Sequence, residues 1–261
     1  MSGPPRGADR VDEQPSAAFL TEVRLALGFL TILPVLPAGR ATEATVARSF
    51  RWFPLVGFAI GTLLCLEDLA LQAIFGTTLR SMIVILSLTA LTGAVHLDAL
   101  ADTADALGAG RDRTRALEIM RDSRIGSYGA IALIFALLFK VAALASLSGS
   151  IRHIALFIAP GLARWAMVAV SQRLDYLRDD GAGATLLSPD ANRGLTAATL
   201  VTGAALLAFL AARTLCAAAL AVVLVLALRW FYRRWLGGVT GDVIGACGEL
   251  VEVAVLVALA A

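Results

Sequence analysis

The feature that most constrains the fold is a series of long apolar stretches separated by shorter polar connections. A helix needs about 20 predominantly apolar residues to cross a bilayer, and it satisfies its own backbone hydrogen bonds there. The chain is 59% hydrophobic and 16% charged, whereas soluble domains carry roughly 45–50% apolar and about 25% charged residues. We therefore predict an all-α, polytopic membrane bundle of about seven spanning helices. The predicted spans are 52–75, 80–97, 127–148, 151–171, 195–212, 214–231 and 249–261, the last being short for a complete crossing.

The N-terminal region is more polar than the rest of the chain. Residues 1–17 lack the apolar stretch and cleavage site of a signal peptide, so we expect a disordered cytoplasmic tail. Residues 18–36 are partly apolar, but Glu22 and Arg24 interrupt the run. This pattern predicts an interfacial or re-entrant helix rather than a complete span. The expected organisation is a tail, 1–17, followed by a single transmembrane domain, 18–261.

The arginines predict which way the bundle faces. If the seven spans alternate, the long connections share one side of the membrane and hold most of the arginines. The opposite side carries Arg80, Arg152 and Arg213. Cytoplasmic connections are enriched in Lys and Arg, so the long connections are predicted to be cytoplasmic.

Three aspartates follow the second predicted span. Asp98, Asp102 and Asp105 are spaced i, i+4, i+7, which places their carboxylates along one face of a helix. We call this set the acidic stripe. Like charges near a membrane are costly unless a cation neutralises them, and oxygen ligands without a nearby Cys favour Mg²⁺. His96 projects to roughly the opposite side of the helix, where it would be either a general base or a hydrogen-bonded interface histidine.

The arginine-rich connection after the stripe is a candidate phosphate site. Arg forks bind phosphate in a bidentate manner, and a Ser and glycines at a helix start offer backbone amides to an anion. We predict substrate binding by Arg121, Asp122, Ser123 and Arg124. The arginines at 111, 113 and 115 are interpreted as a cytoplasmic anchor with solvated ion pairs.

Further charges lie in or beside the later spans. Asp242 falls in a glycine-rich turn, and Glu249 and Glu252 follow in an apolar run. Helix capping would account for Glu249 alone, but less well for all three. Arg164 lies deep in a span, which marks it as a functional candidate that pairs with one of the aspartates. Lys140 is interpreted equally as a functional group or as a structural partner inside the bundle.

Several blocks of these residues occur together in a known family. His96-Leu-Asp-x-Leu-Ala-Asp-Thr-Ala-Asp105, the block from Leu117 to Gly126 and Gly241-Asp242-x-x-Gly245-Ala246 resemble the adenosylcobinamide-GDP ribazoletransferases, also called cobalamin-5′-phosphate synthases. Shorter matches around Pro34, Pro54 and Arg164 extend the resemblance from about residue 20 to the end. Ala99 and Ala106 stand where the family often has Gly, which affects helix packing and removes no carboxylate.

The resemblance implies a Mg²⁺-dependent transferase of cobalamin assembly. Such an enzyme joins adenosylcobinamide-GDP to α-ribazole, or to its 5′-phosphate, and releases GMP. It would hold Mg²⁺ on Asp98, Asp102 and Asp105, with Asp122 or Asp242 either orienting the attacking hydroxyl or completing a second metal site. The substrate-binding residues so implied are His96, Arg121, Ser123, Arg124, Arg164 and Glu249.

The resemblance also implies a cellular setting. The enzyme would be a multi-pass protein of the bacterial inner membrane, with the lipid bilayer around it and its active site facing the cytoplasm. A homo-oligomer is compatible with this picture, and we expect no nucleic-acid partner.

Three rival functions use similar residues. The spacing Asp98-x-x-x-Asp102 also occurs in prenyltransferases, but these carry a second Asp-rich motif that Gly241-Asp242 copies poorly. CDP-alcohol phosphotransferases need an Asp-Gly-x-x-Ala-Arg motif that the sequence lacks. A cation transporter would use the stripe as an ion pathway, and acids gathered at one membrane face argue against a through-pore.

Overall fold

The computed structural model describes residues 15–35, 41–178 and 191–261. These residues form eleven α-helices and two short 3-10 turns, and the described ranges contain no strand, only an isolated bridge between Tyr176 and Val239. The helices are α1 Pro15–Leu30, α2 Glu43–Ser49, α3 Phe53–Leu71, α4 Thr77–Leu91, α5 Val95–Ala106, α6 Arg113–Ile119, α7 Ser127–Ser146, α8 Gly149–Ser171, α9 Ala191–Leu207, α10 Ala212–Trp235 and α11 Gly241–Ala260. The predicted all-α fold is confirmed. The predicted tail lies outside the described residues, except for its last three positions, which open α1.

Within the described residues, five helical segments are long and apolar enough to cross a membrane, or up to six if one bent pair counts as a span. They are 43–71, which joins α2 to α3, and helices α7, α8, α10 and α11. The multi-span bundle is confirmed, and the exact number of about seven spans stays a prediction. The run at 195–212 is a shorter apolar helix, Arg193–Leu207, within α9. Helix α1 is not among these spanning helices, and the interfacial or re-entrant interpretation of 18–36 stays a prediction.

The predicted span 80–97 is divided by a sharp bend. Helix α4 ends at Leu91, and α5 leaves at 87° to it. Gly93 and Ala94 adopt left-handed φ values of 63° and 57° between the two helices. Consecutive left-handed residues cannot continue a right-handed helix. The bend separates the acidic stripe on α5 from the apolar helix that precedes it.

Helix α11 begins earlier than its apolar run predicts. Thr240 is its N-cap and accepts a hydrogen bond from the backbone N–H of Val243, so the predicted glycine-rich turn is already helical. A Cβ on Gly245 would lie 2.7 Å from the Cβ of Ala99 on α5. The missing side chain therefore allows α11 to pack closely on the helix of the acidic stripe.

Helix α8 forms the centre of the bundle, and its second half is almost entirely buried. It packs closely against α3, where a Cβ on Gly57 would lie 2.4 Å from the carbonyl oxygen of Pro160. Helix α11 packs on another side of α8, with Gly248 against Met167. The bundle thus holds α5 and α11 side by side, and these two helices carry the candidate site.

Candidate active site

The acidic stripe has the predicted helical geometry. Helix α5 contains Asp98, Asp102 and Asp105, and none of the three is fully buried. Leu97, Ala99 and other residues of the opposite face are buried. His96, at 5% exposed, lies on the buried side, as its sequence position predicted.

A fourth carboxylate joins the stripe from α11. Asp98 and Asp242 line the same cleft, which has a volume of about 260 Å³ and apolar walls that include Phe29 and Phe50. Asp98, Asp242 and Asp105 all repel a negative charge on Asp102. We call this cleft, with the neighbouring Asp102 counted among its carboxylates, the acidic cleft. Mutual repulsion among these carboxylates makes it a place where a cation is stabilised.

Asp105 has a different environment from the other two stripe residues. One of its oxygens accepts a hydrogen bond from the backbone N–H of Gly126, at 2.7 Å, and the other from that of Gly129, at 2.9 Å. These amides belong to the start of α7, where backbone N–H groups lack partners within the helix. Asp105 therefore fastens α5 to α7 and caps α7.

Arg178 is a residue of the site that the sequence interpretation missed. Its Nη2 donates to Oδ2 of Asp242 at 2.5 Å and to the carbonyl of Met120 at 3.3 Å. The segment before it pairs with the residues preceding α11, through the Leu177 N–H and the Val239 carbonyl at 2.9 Å. In the sequence, Arg178 is one of many arginines on the positively charged side, and no local pattern distinguishes it.

The predicted phosphate loop is exposed. The guanidinium of Arg124 donates to both carboxylate oxygens of Asp122, at 2.6 to 3.1 Å. These hydrogen bonds lower the pKa of Asp122 to about 2. Arg121 and Ser123 are exposed beside them. The loop joins α6 to α7, immediately before the amides that bind Asp105.

Four charged side chains form a separate cluster inside the bundle. Lys140 of α7 donates to Glu249 and to Glu252 of α11, the second contact at 2.7 Å. Arg164 of α8 donates to the other oxygen of Glu252. All four are at most 6% exposed, and their charges balance. We call this set the buried ion cluster.

The buried ion cluster corrects one prediction and resolves an alternative. The partner of Arg164 is Glu252, so the predicted pairing with an aspartate is wrong. Lys140 is a structural partner inside the bundle. Glu249 and Arg164, which the resemblance implied to be substrate ligands, have their charges engaged in ion pairs there. His96 lies between this cluster, whose charges act on it, and the acidic cleft that it lines.

Two other carboxylates are buried in ion pairs that the sequence did not predict. Asp68 is fully buried and binds Arg152, with Nε 3.0 Å from each of its oxygens. Glu22, which the sequence marked only as interrupting an apolar run, is 1% exposed and pairs with Arg48 and Arg51. No spacing links these partners in the sequence, because they lie on different helices.

A metal ion in the acidic cleft would be held by carboxylates. Among the described residues, no group of three His, Cys, Asp or Glu side chains is arranged to hold a metal by itself. Mg²⁺ usually takes one or two protein carboxylates together with water and substrate phosphates. Asp98 and Asp102, with Asp242 facing them, fit a site of this open kind. Asp105, whose oxygens are occupied by backbone amides, fits it less well.

Similarity to known proteins covers the helices that form this site. A family model described as cobalamin-5-phosphate synthase matches residues 22–260. A protein named adenosylcobinamide-GDP ribazoletransferase from Syntrophobacter fumaroxidans is 40% identical over 238 residues, which cover 90% of this chain and 96% of that protein. Proteins of the same name from Klebsiella pneumoniae and Sinorhizobium medicae are each 40% identical, covering 90% and 93% of this chain and 97% of each relative.

No solved structure matches this chain. The family match extends from α1 to the last turn of α11 and includes every residue of the acidic cleft. The chain belongs to the cobalamin-5-phosphate synthase family.

Proposed function

We propose that this chain is an adenosylcobinamide-GDP ribazoletransferase and that the acidic cleft is its active site. The observation that carries the assignment is that Asp98 of α5 and Asp242 of α11 line one cleft with apolar walls, and that both repel a negative charge on the neighbouring Asp102. These aspartates belong to the motifs that resemble the family. A carboxylate-lined cleft suits a pyrophosphate accompanied by a cation, and the apolar walls suit bulky organic groups.

The proposed reaction is a displacement at the pyrophosphate of adenosylcobinamide-GDP. The 3′-hydroxyl oxygen of α-ribazole, or of its 5′-phosphate, forms a bond to the phosphorus attached to cobinamide. The bond from that phosphorus to the GMP oxygen breaks, GMP leaves, and the hydroxyl proton passes to a base. The products are adenosylcobalamin, or its 5′-phosphate, and GMP.

We assign Mg²⁺ to Asp98 and Asp102, with Asp242 as a third candidate ligand. When bound there, Mg²⁺ would neutralise pyrophosphate charge. Arg178 positions Asp242 through their ion pair. Asp105 positions α5 against α7. Arg121, Ser123 and Arg124 would bind phosphate oxygens from the exposed loop, and Asp122 orients Arg124 through their ion pair.

We further propose that the site faces the cytoplasm from the bacterial inner membrane. The acidic cleft lies at the end of the bundle where α7 and α11 begin and α8 ends. The connections at that end carry Arg111, Arg113, Arg115, Arg121 and Arg124. Positive charge of this kind marks cytoplasmic connections, where nucleotide-activated substrates are available.

The test is GMP release by the full chain in detergent or nanodiscs, given adenosylcobinamide-GDP and α-ribazole. We expect GMP and cobalamin with Mg²⁺, none with EDTA, and a loss of at least about 100-fold in Asp102→Asn. The matched control is Glu118→Gln, which neutralises an exposed carboxylate that pairs with Arg115 on α6. This variant should keep the activity of the parent chain.

Other outcomes would redirect the assignment. Full turnover by Asp102→Asn would keep the reaction but remove Asp102 from the metal site. Folded protein that releases no GMP would contradict the proposed function. Pyrophosphate or CMP release from the corresponding substrates would favour a prenyltransferase or a CDP-alcohol phosphotransferase.

A further inference from the structure

A second cleft lies beside α8, α9 and α10, at the same end of the bundle as the acidic cleft. Its volume is about 340 Å³, and none of the acidic-cleft residues lines it. The side chains that determine its chemistry are Trp165, Gln172, Arg173, Thr199, Leu226 and Arg229. The cleft has no place in the reaction proposed above.

The cleft carries positive charge without a matching carboxylate. Arg229 is half-buried on α10, and its Nη1 donates to the carbonyls of Ala169 and Val170 at 2.8 and 3.0 Å. Arg173 and Arg233 both repel its charge. Across the described residues, neither Arg173 nor Arg229 forms an ion pair, so no carboxylate offsets this repulsion within that part of the chain. A bound anion would provide it.

A buried polar atom in the cleft also lacks a partner. Gln172 is 5% exposed; its Nε2 donates to the Val168 carbonyl at 3.3 Å, and its buried Oε1 has no hydrogen-bond partner. A buried acceptor without a donor is costly. Nearby, Thr199 accepts a hydrogen bond from Trp165 Nε1 at 3.1 Å. Gln172 lines the cleft, and a ligand hydroxyl that reached its Oε1 would supply the missing donor.

The outer wall of the cleft is apolar and exposed. Val222 and Leu226 of α10 are 43% and 60% exposed. Helix α10 is long and apolar enough to span a membrane, so side chains exposed along it meet acyl chains. Basic charge with an apolar wall at a membrane face is the pattern that binds anionic lipid headgroups.

We propose that this cleft is a binding site for an anionic phospholipid with a hydroxylated headgroup, of the phosphatidylglycerol kind. Its phosphate lies between Arg173 and Arg229, a headgroup hydroxyl donates to Oε1 of Gln172, and an acyl chain lies along Val222 and Leu226. Phosphatidylcholine carries the same phosphate, but its quaternary ammonium makes the headgroup neutral overall and it has no hydroxyl. It therefore balances the charge of the arginine pair less well and donates nothing to Gln172. The proposal is independent of the transferase assignment.

The test is native mass spectrometry of the full chain in detergent, titrated separately with phosphatidylglycerol, phosphatidylcholine and inorganic phosphate. The main variant is Arg173→Asn, because Arg173 is exposed and has φ of 54°, a conformation that Asn tolerates well. Arg213→Asn is the matched control, since Arg213 is exposed at the opposite end of α10. A second variant, Arg229→Gln, removes the other arginine.

We expect preferential retention of phosphatidylglycerol, about five-fold weaker in Arg173→Asn and unchanged in Arg213→Asn. Arg229→Gln should weaken it similarly, and thermal unfolding of each variant shows whether it is folded. Equal retention of both lipids, or equal loss in Arg213→Asn, would overturn the proposal. Binding of inorganic phosphate that displaces phosphatidylglycerol would also overturn it, by assigning the cleft to a free anion.

Discussion

The carboxylate of Asp105 accepts a hydrogen bond from the backbone N–H of Gly126 at 2.7 Å, joining the last turn of α5 to the start of α7. Its other oxygen is used by the N–H of Gly129. The three aspartates of the stripe therefore divide into two groups. Asp98 lines the acidic cleft and Asp102 lies beside it, whereas Asp105 holds two helices in register.

Because Asp105 joins α5 to α7, we predict that it contributes to the free energy of unfolding. In Asp105→Asn the amide keeps one acceptor oxygen, so one of two backbone N–H groups loses its partner, at a cost of about 1–3 kcal/mol. Thermal unfolding in detergent measures the loss. The control is Asp112→Asn, where the carboxylate accepts one backbone N–H as the N-cap of α6 and Asn is an equally good cap. An Asp105→Asn variant as stable as the control would contradict the anchoring role.

Arg178 is predicted to position Asp242. Arg178→Gln removes a charged hydrogen bond to that carboxylate, so we expect kcat to fall roughly 10- to 100-fold. Arg178→Lys retains the charge and should recover part of the rate. Arg115→Gln, which removes an exposed arginine paired with Glu118, is the matched control. The measurement is steady-state GMP release, and an unchanged kcat in Arg178→Gln would show that Asp242 needs no partner.

Asp122 is predicted to act in its charged form over the whole working pH range. Its pKa is lowered to about 2 by hydrogen bonds from Arg124, so the charge is lost only as the pH falls through that value. If Asp122 orients Arg124 for phosphate binding, Asp122→Asn should raise KM by a similar factor at about pH 6 and pH 8. Because the pair is exposed, thermal stability should hardly change. A KM effect that disappears on lowering the pH to about 6 would contradict this role.

Sequence patterns predicted features that depend on local periodicity. Five of the seven apolar runs identified helical segments long enough to span, and the i, i+4, i+7 spacing identified the face of α5. The bend at Gly93 and Ala94 was missed because the apolar run continues through it, whereas left-handed backbone is set by packing around it. The ion pair between Arg178 and Asp242 joins residues 64 positions apart, and periodicity carries no information about such partners.

Sequence patterns also could not separate the candidate site residues from charges that pair inside the bundle. A charge inside an apolar run signals that it has a partner, but not whether that partner is a substrate or another helix. Arg164 and Glu249 gave the same signal as the aspartates of the stripe. Their burial against Lys140 and Glu252 distinguishes them, and burial follows from helix packing.

The buried ion cluster predicts a specific pattern of coupled substitutions. Lys140→Met leaves two buried carboxylates with one arginine, and removing one partner from buried ion pairs costs about 3–5 kcal/mol. Adding Glu249→Gln restores the charge balance, so the double variant should be more stable than Lys140→Met alone. Urea or thermal unfolding of both single variants and the double variant provides the cycle. Additive effects would mean that the two side chains are not coupled.

The close contact between α3 and α8 predicts that a methyl group added at Gly57 destabilises the protein, whereas one added at Gly203 does not. A Cβ on Gly57 would lie 2.4 Å from the Pro160 carbonyl oxygen and 2.8 Å from the Cα of Gly161, both backbone atoms that cannot rotate away. Gly57→Ala must therefore push two central helices apart, at a cost of about 1–3 kcal/mol or more.

Gly203 on α9 provides the opposite case, since a Cβ there would meet nothing within 4 Å. Gly203→Ala should be neutral or stabilise the protein by about 0.5–1 kcal/mol, because Ala restricts the unfolded chain and favours the helix. Thermal unfolding of both variants in one detergent makes the comparison. A Gly57→Ala variant no less stable than Gly203→Ala would show that α3 and α8 do not approach as closely as the backbone positions require. Because α8 also carries Arg164 and supports α11 through Met167, a separation at Gly57 should lower GMP release as well.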